Sequence, residues 1–145
     1  MAEETLEQRV AKFETFINDV LKESLKRIHV AVDMLNQEIM ELEQTGNSIK
    51  TLSRLAAERP GKPLKTRVNV GCDFYMQANV EPHTYLVCVG LGHYLEFTET
   101  EATAFVRHRS QLLKARADEL RDEGARVRAQ ITLALHCIQD LQNIN

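Results

Sequence analysis

"YLVCVGLGHYLEF" (residues 85–97) sets two runs rich in Val, Leu and Tyr on either side of Gly90-Leu91-Gly92. Read as a phosphate cradle, this loop belongs to a nucleotide-binding enzyme. Read as a bend, it belongs to a β-hairpin that joins subunits. A dinucleotide loop needs a third glycine and a helix after it, but Leu95 stands in the third position. A Walker loop needs Gly-Lys-Ser/Thr, and that triplet does not occur. The stretch is therefore a hairpin with a three-residue loop in which glycine supplies positive φ.

Upstream, "TRVNVG" (66–71) alternates, with Val68 and Val70 on one face, and "CDFYMQANV" (72–80) follows directly. Gly71 marks a bend or bulge between these runs, and Pro82 ends the second. Residues 64–97 are thus expected to form two hairpins, four strands in all. The second carries apolar residues on both faces: Tyr85, Val87 and Val89 on one, Leu86, Cys88 and Leu91 on the other. A four-stranded piece of this kind cannot bury both faces alone and needs other subunits. The expected assembly residues are Val68, Val70, Phe74, Met76, Val80, Tyr85, Val87, Val89, Tyr94, Leu95 and Phe97, with Gly90 and Gly92 shaping the bend.

All three prolines (Pro60, Pro63, Pro82) lie in this centre, and each flank holds a single glycine. Long helices are expected there, from about Glu4 to Ala57 and from Glu99 to residue 143. The first stripe is Val10, Phe13, Ile17, Leu21, Leu25, Ile28, Val32, Leu35, Ile39, Leu42, with steps 3,4,4,4,3,4,3,4,3. From Leu21 this is a heptad seam, and one extra residue near the start locally unwinds it. At 1.5 Å per residue such a helix is roughly 80 Å long. The second helix opens with a capping box, Thr98 to Glu101. Its seam (Leu113, Ala117, Leu120, Gly124, Val127, Ile131, Ala134, Ile138, Leu141) alternates steps of 4 and 3. Gly124 costs about 1 kcal/mol of helix propensity, so close packing or a bend is its expected reason. The fold class is α+β: one domain over residues 1–145, a long antiparallel coiled coil with two central β-hairpins. Phe13, Phe16, Ile17, Val20 and Leu21 crowd one free end, and Ile131, Leu135, Ile138 and Leu141 (with Leu133 and Ile144) crowd the other. These are candidate client-holding surfaces.

The totals exclude several classes. A net charge of −3 is too mild to argue for nucleic acid or membrane, and no apolar run reaches the length of a span. The acidic start "MAEETLEQRV" lacks the apolar stretch of a signal peptide. Three cysteines (Cys72, Cys88, Cys137) without framework spacing read as free thiols in cytoplasm or nucleus. Cys72, His83, Cys88 and His93 lack the paired spacing of a zinc site, so no metal is expected. His29, His108 and His136 read as solvated helix residues; no catalytic constellation and no cofactor is expected. Arg54, Arg59, Lys62, Lys65 and Arg67 form a basic run opposed by Glu58 alone, read as a solvated connector without the aromatics that stack bases.

Gly71 opening "CDFYMQANV", then "YLVCVGLGHYLEFTETEATAFVRHRSQLL" (85–113), resembles the hairpins and second helix of α-type prefoldin subunits, a chaperone family. "KFETFINDVLKESLK" (12–26) with "VNVGCDFYMQANV" resembles one branch of that family. The resemblance implies a non-enzymatic chaperone subunit whose hairpins pair with β-type subunits in a barrel platform and whose coiled-coil tips hold client proteins. For that branch it further implies a complex with the unconventional prefoldin URI and β-type prefoldins. An AAA+ ATPase cochaperone and a role as transcription coregulator come with it. The alternatives are a subunit of ordinary prefoldin, or a coiled-coil scaffold or transcription adaptor that binds one folded partner.

Overall fold

The computed structural model describes residues 6–80 and 84–143. The expected helix start at Glu4, and the readings of Pro82, His83 and Ile144, fall outside them. The element order is helix, two hairpins, helix: α1 (Leu6–Thr15), a π-helical stretch (Phe16–Leu21), α2 (Lys22–Glu58), β1 (Leu64–Gly71), β2 (Phe74–Val80), β3 (Tyr85–Gly90), β4 (His93–Phe97) and α3 (Glu99–Asn143). This is an α+β fold. Contacts divide the chain into two compact units. One joins the chain up to Glu38 with the chain from Leu113 onward, and the other is Ile39–Leu112.

The first unit is an antiparallel helix pair. Arg121 Nη2 donates to Asn36 Oδ1 at 3.0 Å, and Arg128 Nη2 meets His29 Nε2 at 3.2 Å. Ile17, Leu21, Ile28, Val127, Ala134 and Ile138 form its core, and Val10, Phe13, Leu25, Val32, Leu120 and Ile131 pack against it. The expected extra residue takes a definite form. The π-helical turn holds Ile17 and Leu21 four apart and both buried, so the stripe stays on the partner helix despite three successive steps of four. Gly124 is buried, yet a Cβ there would meet only Ile28 at 3.4 Å and Leu25 at 3.8 Å, ordinary contact distances. Close packing at Gly124 is therefore milder than its place in the seam implies.

The second unit holds the hairpins and the neighbouring parts of α2 and α3. Ile49 of α2, Val87 of β3 and Ala102 of α3 are its core, with Tyr85, Phe97 and Phe105 packed on them. The Phe97 and Phe105 rings stack, 5.5 Å between centroids. Here the close approach is at Gly46, where a Cβ would lie 3.2 Å from Val106 Cγ1. The capping box forms. The Thr98 amide donates to Glu101 Oε2 at 2.9 Å, and the Glu101 amide reaches Thr98 Oγ1 at 3.5 Å.

The two hairpins are separate two-stranded sheets, where a single four-stranded piece is expected from the sequence. Their turns also differ from expectation. Each loop has two residues, Cys72-Asp73 and Leu91-Gly92, all four at positive φ, as a type I′ connection requires. Gly71 and Gly90 end β1 and β3 at φ 118° and 116°, each just past a register shift that leaves Val70 and Val89 in a bulge. The hairpins are thus one design used twice. Val68-Asn69-Val70-Gly71-Cys72-Asp73-Phe74-Tyr75-Met76-Gln77 aligns with Val87-Cys88-Val89-Gly90-Leu91-Gly92-His93-Tyr94-Leu95-Glu96 at an offset of 19 residues. Leu91 holds a left-handed conformation (φ 51°) while 99% exposed, a placement costing about 1 kcal/mol.

Candidate functional site

Cross-strand register assigns the faces. In the first hairpin Leu64 faces Val80, Thr66 faces Ala78 and Val68 faces Met76, and alternation adds Val70 and Phe74 to the same side. The other side carries Lys65, Arg67 and Asn69 opposite Asn79, Gln77 and Tyr75. The hairpin is therefore amphipathic, and its apolar side is open: Val68, Val70, Phe74, Met76 and Val80 are all exposed. An isolated two-stranded hairpin is marginally stable in water, so an uncovered apolar side of this size is a candidate contact surface.

The second hairpin divides differently. Tyr85 faces Phe97 and Val87 faces Leu95 on the side that meets the helices. Val87 is 6% exposed, and Tyr85, Val89 and Phe97 are half-buried. Sequence reasoning assigned Val87, Tyr85 and Phe97 to a neighbouring subunit, but here they are part of the chain's own core. The outward side holds Leu86, Cys88 and Tyr94, and a hydrogen bond from Thr84 Oγ1 to Glu96 Oε1 at 2.5 Å clasps it. Leu86, Leu91, Tyr94 and Leu95 are the exposed apolar groups. With the two-fold repeat superposed, the open Val68/Met76 side of the first hairpin corresponds to the Val87/Leu95 side of the second, where Val87 packs on helices and Leu95 stays exposed.

One polar cluster fastens the second hairpin to both helices. Ser53 of α2 donates to Glu99 Oε2 of α3, and Ser53 also hydrogen-bonds Tyr85 of β3. Burial, then the Glu99 charge, pushes the Tyr85 phenol above its ordinary value, and the Ser53 hydrogen bond opposes them. Glu101 is held below the usual carboxylate value, first by the Thr98 amide and then by the Thr98 hydroxyl.

At the helix ends the candidates separate into two sets. Ile17, Leu21 and Ile138 are buried in the seam, and Phe13, Ile131 and Leu141 are half-buried. Phe16, Val20 and Leu135 point outward, as does Leu133. The seam accounts for the first set, and only the second offers surface to another molecule. Cys72 and Cys88 are exposed, and the described residues contain no group of three or more His, Cys, Asp or Glu arranged to hold a metal. The basic run is partly built into the sheet, because Lys65 and Arg67 project from β1.

Residues 21–143 match the family described as prefoldin subunit. Protein UXT homolog of Nematostella vectensis is 31% identical over 151 residues, covering 100% of this chain and 94% of that protein. Protein UXT of Homo sapiens is 30% identical, covering 99% of this chain and 89% of its own length. Among solved structures, a chain of filamentous PFD from Methanocaldococcus jannaschii, determined by cryo-electron microscopy, superposes with a TM-score of 0.54 at 23% identity, covering 79% of this chain and 97% of that one. Helix, twin hairpins, capped helix and a match to the family over most of the length lead to one assignment: this chain belongs to the prefoldin family.

Proposed function

We propose that this chain is a non-catalytic subunit of a hetero-oligomeric, prefoldin-like chaperone, joined to its neighbours through the hairpins. The observation that carries this reading is the open apolar side of the first hairpin. Val68, Phe74 and Met76 are exposed on one side of the first hairpin, whereas Val87, the counterpart of Val68 in the second hairpin, is buried against helices. Another subunit is the natural cover, since an unsupported hairpin gains little stability by itself. Each of the four strands also keeps one unpaired edge among the described residues, ready for backbone pairing.

The likeness to UXT proteins supports a finer assignment, to a URI-containing complex with β-type prefoldins that serves an AAA+ ATPase cochaperone. In this reading Phe16, Val20 and Leu135 hold client or partner proteins, and the chain works in cytoplasm and nucleus, with transcription coregulation as one outcome. Native mass spectrometry of the chain purified gently from its own cells tests the proposal. A set of prefoldin-sized subunits is expected, and the presence or absence of URI separates this complex from ordinary prefoldin. A monomer, or a pair with one large folded protein, would replace the chaperone subunit with a coiled-coil adaptor.

A further inference from the structure

We infer that the polar side of the first hairpin is a docking site for an acidic protein segment. Lys65 and Arg67 stand two apart on β1, and Gln77 and Tyr75 face them or their neighbour from β2. Together with Thr66 these groups line a shallow surface cleft. Neither cation has an ion-pair partner among the described residues. The charge around the cleft is segregated from the rest of the chain. Residues 59–80 carry Arg59, Lys62, Lys65 and Arg67 against Asp73 alone, a net of +3, while the whole chain is −3 and the remainder therefore −6. Such a patch attracts an anionic segment at short range.

The twin hairpin is an internal control. At the same backbone positions it has Thr84 for Lys65, Leu86 for Arg67 and Glu96 for Gln77, while Tyr94 matches Tyr75. The same fold is thus built without the cations, so hairpin geometry does not require them. A protein segment is favoured over nucleic acid on two counts. Tyr75 is the only aromatic on this side, whereas single strands are held by several stacked bases. The patch is also short, with four cations within residues 59–67, which suits a short acidic segment better than a long polyanion. The inference rests on the proposed assembly in one respect: the apolar side and the edges are what neighbours use, which leaves this side open in the complex.

The test uses the full chain, alone and in its purified complex. Fluorescence anisotropy is read with a labelled Glu-Ser repeat dodecapeptide and, separately, with labelled dT12. The peptide is expected to bind, more weakly as salt rises, and Lys65→Thr with Arg67→Leu to weaken it tenfold or more. Gln77→Glu, the residue of the twin hairpin, is a second variant and is expected to weaken it severalfold. Circular dichroism confirms that the variants fold, and native mass spectrometry follows their stoichiometry, so loss of assembly is read separately from loss of peptide. No peptide binding, equal binding by the variants, or tighter binding of dT12 than of peptide overturns the inference.

Discussion

Replacing Phe74 and Met76 together with Ser separates assembly from folding. Phe74 is 73% exposed and Met76 62% exposed, so the isolated chain has little packing to lose. Surface changes of this kind stay within about 0.5 kcal/mol each. In the complex, the area still open on these side chains is what a neighbour covers. Full burial of a large apolar side chain is worth about 1.5–3 kcal/mol, so the exposed fractions correspond to about 1–2 kcal/mol apiece. The pair is thus worth about 2–4 kcal/mol of association, roughly 30- to 1,000-fold in Kd. Thermal melts followed at 222 nm should be unchanged, while titration of the variant into its partner subunits, read by native mass spectrometry, should show the loss. Val87→Ser is the contrasting case. Val87 packs on Ile49 and Ala102, so its melt should fall before any partner is added. Unchanged affinity of the Phe74/Met76 variant would refute the assignment of this side to assembly.

The helix ends allow a parallel experiment: Phe16→Ser with Val20→Ser should leave the melt unchanged and reduce suppression of client aggregation, whereas Ile17→Ala should cost about 2–5 kcal/mol of stability. Gly124→Ala should stabilise by about 1 kcal/mol, because helix propensity is gained at ordinary contact distance. Gly46→Ala should gain less, since Val106 must move, and denaturant midpoints measure both. Glu101 has a lowered carboxyl, so its stabilisation is present above its ordinary value of 4.5 and is lost as pH falls through the lowered one; Glu101→Gln should flatten the melting temperature between pH 7 and pH 3. Tyr85 has a raised phenol, so its contribution is intact below its ordinary 10.0 and is lost as pH rises through the raised value; Tyr85→Phe should resist alkaline unfolding better than the parent chain.

The helices, the hairpins and the Thr98–Glu101 cap were legible because each has a local cause: a repeat of 3.5 residues, alternation, and a side chain that answers an unpaired amide. What alternation cannot tell is which of two apolar sides the chain covers for itself. Val68 and Val87 occupy equivalent places in near-identical stretches, yet one is open and the other buried, because only the second hairpin lies against Ile49 and Ala102. The turns were misjudged by one residue for a related reason: Gly90 resembles a loop residue in sequence but pairs with His93 as the end of β3. The same holds for Cys72 and Asp73, which make a turn and do not begin a strand. The offset of 19 between the hairpins was available in the sequence and would have linked the two turns. At the helix ends the stripe already separates Ile17, which lies on it, from Phe16, which lies off it, and their burial follows that division.

The π-helical turn at Phe16–Leu21 acts as a phase shifter. An α-helix advances about 100° per residue, so one inserted residue rotates everything upstream by roughly that angle relative to everything downstream. Val10 and Phe13 still meet the seam because the wider π turn takes up that rotation locally. Removing one residue from the turn, Asn18 for instance, would restore an unbroken α-helix and the steps 3,4,3,4 across Val10 to Leu25. The flanks would keep their places on the seam, so the deletion would be felt at the turn alone, where Phe16 and Val20 would stand three residues apart in place of four.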